Sequence, residues 1–174
     1  MKYVYEFTNG RKVTKREFLN WFQKKFLYTL RKFEMVKRGD VIGYKSSKDF
    51  RGVVLEDLLK MFSQKTQIEL VKLPNKKSTK IASPDTTGTE SDKIIHSLFK
   101  GDLDKLDAEP IKGKKIKPLY LFLDKEVLLY AKLKGLKFSK PKNKEDKVSL
   151  FVDSLEKKHP EIKYSIVRGY LDLF

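Results

Sequence analysis

A chain of 174 residues with 40% hydrophobic content and 12 Phe is long enough for one packed domain and too apolar to stay disordered. It has no Cys, which excludes disulfides, thiolate metal sites, iron–sulfur clusters held by its own thiols and cysteine nucleophiles, and its 2 imidazoles, His96 and His159, are too few for a histidine-based metal site. The net charge of +16 implies a polyanionic partner, and it is concentrated: residues 1–38 hold 11 Lys/Arg against 3 Asp/Glu and residues 110–147 hold 12 against 4, each +8, so the remaining segments sum to zero.

The first ten residues lack the apolar core of a signal peptide, and no apolar run is long enough to span a bilayer, so a cytosolic or nuclear address, cytoplasmic in the first instance, and no membrane partner are expected. Residues 3–7 alternate as a short strand, and Asn9-Gly10 is a hairpin-type turn. Thr14 with Glu17 three residues on makes a capping box that opens a helix to about Phe33. Phe18, Phe22, Phe26, Leu30 and Phe33 repeat at helical spacing as a core stripe, with Trp21 on its flank.

Residues 36–59 read VKRGDVIGYKSSKDFRGVVLEDLL: a turn at Arg38-Gly39-Asp40, a strand over 41–44, a polar loop, then a helix over 52–62. A loop between strand and helix is where phosphate-binding folds hold an anion, because free N–H groups and the helix dipole converge there. Such cradles use paired glycines so that the backbone can approach closely. The loop over 45–51 has none before Gly52 and carries Phe50 within it, so Ser46, Ser47, Lys48 and Asp49 are expected not to bind phosphate, and no cofactor is expected.

Further strands are predicted over 68–73 and 80–83, then a helix to about Phe99 that buries Ile94, Ile95, Leu98 and Phe99 and stops at Gly101. Residues 107–117 read as a basic loop, Asp124 as the cap of a helix through Lys134 with Gly135 as its terminal glycine, and 137–147 as a second basic loop. A helix containing Val148, Phe151, Val152 and Leu155 closes at His159-Pro160, and Ser165 caps a last short helix. The order strand–helix–strand–strand–helix gives an α/β fold with a parallel sheet between helices. No catalytic constellation emerges: Ser46 and Ser47 have no nearby histidine, Asp102, Asp104 and Glu109 read as a solvated turn, and His96 reads as a half-buried packing residue.

Four blocks resemble the PP-loop ATP pyrophosphatases that 2-thiolate tRNA wobble uridines: REFLNWFQKKFLYTLRKFEMVKRGDVI, KIIHSLFKGDLDKL, IKPLYLFLDKEVLLYAKLKGL and LEKKHPEIKYSIVRGYLDLF, which anchor a resemblance covering about two-thirds of the chain. The family's SGGKDS loop stands here as SSKDFRG, its GHN-x-DDEA type motif as SPDTTGTES, and its catalytic and zinc-binding cysteines are missing. The resemblance implies a truncated PP-loop α/β fold with a C-terminal helical extension. Its parts would be an N-terminal hairpin and helix (1–35), a reduced α/β unit (36–136) and a basic loop with C-terminal helices (137–174), packed as one body.

In that family, eukaryotic enzymes pair a catalytic subunit with a homologous partner whose loop is degenerate. The pattern Asp85-Thr86, Thr89, Lys93-Ile94-Ile95, Lys100-Gly101 is similar to that partner's. The resemblance therefore implies a tRNA-binding, scaffolding subunit that is not itself an enzyme, working beside a catalytic thiolase subunit. Its tRNA phosphates would meet Lys112, Lys114, Lys115 and Lys117 in one loop and Lys137, Lys140, Lys142 and Lys144 in the other, with Lys24, Lys25, Arg31 and Lys32 behind them. The alternatives are a stand-alone RNA-binding relative of an archaeal-type thiolase, an active ATP-using enzyme, and a structural protein whose basicity is incidental.

Overall fold

The structure is a computed structural model that describes residues 1–143 and 146–174. Strands β1 (Tyr3–Glu6) and β2 (Lys12–Thr14) form an antiparallel hairpin around Gly10, whose φ of 82° is the left-handed conformation its turn requires. Helix α1 (Lys15–Lys32) starts on the expected capping box: Thr14 N donates to Glu17 Oε2 at 2.8 Å and Glu17 N to Thr14 Oγ1 at 3.5 Å. Its stripe of Phe18, Phe22 and Phe26 is fully buried, and Phe22 stacks on Tyr130 with ring centroids 4.3 Å apart.

The central sheet contains β3 (Val41–Tyr44), β4 (Glu69–Lys72), β5 (Lys80–Ala82), β6 (Ile111–Lys112) and β7 (Lys115–Ile116), in the order β4-β3-β5-β7-β6. β3 runs parallel to both β4 and β5, and β7 parallel to β5, while β6 is an antiparallel edge. Ile42 and Gly43 are buried mid-strand, and a Cβ at Gly43 would lie 2.5 Å from Leu73 Cδ2, so the chain leaving β4 packs directly on the β3 backbone.

Helices flank the sheet. α1, α2 (Phe50–Lys65) and α4 (Asp124–Leu133) pack together in the main core with Val54, Leu58, Phe122 and Val127 at its centre. α3 (Thr87–Lys100) packs on α5 (Lys147–Lys158) and α6 (Ile162–Leu173), around a smaller cluster of Ile94, Ala108, Tyr120, Val167 and Tyr170. The α/β architecture with C-terminal helices is as expected.

Several local expectations fail. The basic loop over 107–117 contains the β6–β7 hairpin, turned by Gly113 at φ 57°. Leu98 and Phe99 are 57% and 72% exposed, because α3 turns its buried face through Thr87, Ser91 and Ile94. Asp124 does not cap α4. Glu126 does so by accepting from Leu123 N at 3.1 Å, which leaves the Asp124 side chain to other partners. α6 begins at Ile162, ahead of Ser165. Among the described residues no helix is long and apolar enough to cross a membrane.

Candidate functional site

From β3 the chain crosses through α2 to β4 on one side, and from β5 it continues through α3 towards β7 on the other. The carboxyl ends of β3 and β5 therefore flank the point where strand order reverses, where open α/β sheets place their ligands. The residues gathered there are the loop 45–49 after Tyr44, the segment 83–86 after Ala82, and the first turns of α2 and α3.

The α2 end of this crevice is satisfied from within. Ser47 Oγ accepts from Asp49 N at 3.0 Å, and Asp49 Oδ2 accepts from Arg51 N at 3.1 Å as the N-cap of α2. Two backbone donors of this turn, Asp49 N and Arg51 N, thus serve the chain's own oxygens. Gly52 is explained by packing: a Cβ there would lie 2.6 Å from Ser47 Cβ.

A carboxylate occupies the middle of the crevice. Arg51 donates from Nε and Nη2 to Asp124, Thr86 Oγ1 donates to Asp124 Oδ1 at 2.8 Å, and a Cβ at Gly88 would lie 2.6 Å from Asp124 Oδ2. Burial works to raise the Asp124 pKa, but the Arg51 bonds and charge and the Thr86 hydroxyl outweigh it and hold the carboxyl below its usual range. The Arg51 guanidinium is raised in turn, its burial outweighed by Asp124.

Beside it lies a ladder of alternating charge. Lys117, fully buried, donates to Glu90 Oε2 at 3.2 Å and to the Asp107 carbonyl at 2.8 Å. Lys93 bridges Glu90 and Asp85 at 3.0 and 2.9 Å, and Lys115 reaches Asp107 at 3.1 Å. Ser83 Oγ donates to Asp85. Burial raises the Glu90 pKa, with Lys117 and Lys93 opposing it.

The second basic loop docks onto the first site. Ser139 N donates to the Lys48 carbonyl at 2.8 Å, and Phe138 packs edge-on to Phe50 with ring centroids 6.5 Å apart. Between them is a cleft of about 470 Å³ lined by Asp49, Phe50, Arg51, Ser139, Lys140, Pro141 and Lys142. Lys137, Lys140, Lys142, Lys45 and Lys48 are all exposed here.

The proposed lysines do not form one surface. Lys112 and Lys114 are exposed, but β7 runs parallel to β5, so the turn before it lies at the amino ends of the strands, opposite the loop 45–49. Lys117 is removed from the RNA-facing set, because its ammonium is enclosed by Glu90 and Asp107, and Lys115 is half-buried against Asp107. Lys25 is also corrected. Its ammonium lies 4.9 Å over Trp21 and 4.8 Å over Phe122, and burial lowers its pKa against the pull of Glu126. Lys24, Arg31 and Lys32 are exposed on α1, and Lys144 lies outside the described residues. Sequence reasoning does not single out Lys45, whose place beside the second basic loop depends on the Ser139–Lys48 contact.

No family model matches the chain, and no curated protein matches it. Among solved structures it is similar to the U34-tRNA thiolase NcsA from Methanococcus maripaludis, solved with its 4Fe-4S cluster, at 20% identity and a TM-score of 0.79, over 98% of this chain and 84% of that one. This overturns the expectation that the chain is not an enzyme: the protein whose fold it shares along almost its whole length is a thiolase, and a glycine-poor loop is no sufficient ground for the opposite reading. The donor set does not fit a cluster like that neighbour's, since there is no Cys and, among the described residues, no group of three His, Asp or Glu placed to hold a metal. The chain has the same α/β fold as that thiolase, a largely parallel sheet between helices with further helices at its C-terminal end.

Proposed function

We propose that this chain is the tRNA-binding subunit of a wobble-uridine thiolation machinery, acting with a cysteine-bearing thiolase subunit. The observation that carries the reading is the docking of the loop with Lys137, Lys140 and Lys142 against the Lys48 carbonyl and Phe50, which brings it to the loop after β3 that also carries Lys45. Five exposed ammonium groups at the strand ends neutralise RNA phosphates without base-specific hydrogen bonds, so binding is strongly salt-dependent and weakly selective for sequence. Lys112 and Lys114, at the opposite strand ends, form a separate and weaker contact. Sulfur transfer through a thiolate requires a thiol that this composition lacks, which is why a partner belongs to the proposal.

The test is affinity purification of the tagged chain from its source cells, with mass spectrometry of the bound protein and sequencing of the bound RNA. Recovery of a thiolase together with tRNA supports the reading. tRNA recovered without any thiolase favours a stand-alone RNA-binding protein, and neither one refutes both.

A further inference from the structure

We propose that His96 is a pH-sensitive pin that holds the start of α5, and with it the basic loop, against α3. The inference rests on the reading of residues 137–142 as an RNA contact and adds a regulation of that site.

The His96 ring faces two acceptors. Nδ1 lies 2.6 Å from the Asp92 carbonyl oxygen, and Nε2 lies 2.7 Å from Asp146 Oδ2. Neither partner has a proton to give at neutral pH. A neutral imidazole carries one N–H, so one of the two contacts would set lone pair against lone pair. Only the imidazolium donates both bonds.

The charges around the ring favour that form. Asp92 comes from its own helix and Asp146 from the start of α5. Of the cations on the packed helices, Lys163 of α6 pairs with Asp153 and Glu156 and Lys93 of α3 with Asp85 and Glu90, while Lys100, one turn along α3, and Lys147, next to Asp146, are exposed to solvent. The Asp92 carbonyl first, and Asp146 next, raise the His96 pKa.

Asp146 Oδ2 also accepts from Ser149 N at 2.8 Å, so the oxygen bound to His96 is the one that caps α5. On its other side the basic loop is fixed by Ser139 N to the Lys48 carbonyl. The loop is thus held at the crevice by the Ser139 bond, and the start of α5 is held against α3 by an imidazolium. A raised folded pKa makes the pin intact below the ordinary imidazole value of about 6.5 and lost as pH rises through the folded value.

The experiment uses the full chain and titrates the His96 ring by NMR, against the ordinary imidazole value of about 6.5. Amide-exchange protection of residues 137–143 and tRNA affinity by filter binding are measured below and above the His96 titration. Asp146→Asn keeps a capping side chain at α5 while weakening the pin, and His96→Gln removes the titrating group. Expected are a His96 titration above about 6.5, a roughly threefold fall in loop protection as His96 deprotonates, a lower His96 titration in Asp146→Asn, and pH-independent protection in His96→Gln. The proposal is overturned when His96 titrates at or below about 6.5, when Asp146→Asn leaves His96 unmoved, or when protection is equal on both sides of the titration. Expected titrations without tRNA binding at either pH support the pin and refute the RNA reading.

Discussion

Arg51 closes on Asp124 with two parallel hydrogen bonds, Nε to Oδ1 at 2.8 Å and Nη2 to Oδ2 at 2.9 Å, and so ties the start of α2 to the start of α4. Both side chains are about one-fifth exposed, so removing one partner leaves a poorly hydrated charge. Asp124→Ala should cost about 3 kcal/mol of stability by chemical denaturation. Because the Asp124 pKa is lowered, that contribution is present above the unfolded carboxylate value of about 3.9 and is lost as pH falls through the folded value. A wild type and Asp124→Ala pair with equal stability at pH 7 would contradict this.

Gly88 is coupled to the same carboxylate. Gly88→Ala places a Cβ within 2.6 Å of Asp124 Oδ2 and must push it from Arg51. The substitution should destabilise the wild type by roughly 1–3 kcal/mol. In an Asp124→Ala background most of that cost should vanish, and a double-mutant cycle measures the difference. Additive effects would show that Gly88 is present for another reason.

Lys117→Met separates structure from RNA binding. It leaves Glu90 buried with Lys93 as its remaining cation and should cost about 3 kcal/mol. Its effect on tRNA affinity, measured well below the unfolding midpoint, should be nil. A Lys117→Met protein of unchanged stability but weakened RNA binding would restore Lys117 to the interface.

Asp49 caps α2 by accepting from Arg51 N, so an anion entering at loop 45–49 would have to displace that carboxylate. Calorimetric titration with ATP–Mg should show no saturable micromolar binding. A micromolar Kd would mean that Asp49 and the Ser47 turn yield to a phosphate.

Local signals carried most of the fold. Val41–Tyr44 is an apolar run between a Gly turn and a polar loop, and Thr14-x-x-Glu17 is a complete cap, so both elements were legible from neighbouring residues. What failed depended on distant partners. Lys117 stands among three other lysines within six positions and looks solvated; its burial is set by Glu90, which is 27 positions away. Asp124 before a helical stretch looks like a cap, and its true partner Arg51 lies 73 positions away. The β6–β7 hairpin has strands of two residues, too short for any period-2 signal. At the candidate site, the lysines of 137–142 were legible as a charge run, whereas their neighbours Lys45 and Lys48 depend on the single Ser139 contact.

The central claim is that the edge formed by loops 45–49 and 137–142 binds tRNA phosphates. Its most direct test is the salt dependence of tRNA binding for wild type, Lys137→Glu/Lys140→Glu/Lys142→Glu and Lys112→Glu/Lys114→Glu. Each lost phosphate contact lowers the slope of log affinity against log salt by about 0.9. The triple variant should lose roughly 2–3 of slope and most of its affinity, while the hairpin variant changes little. An unchanged slope in the triple variant, or a loss confined to Lys112→Glu/Lys114→Glu, would contradict it.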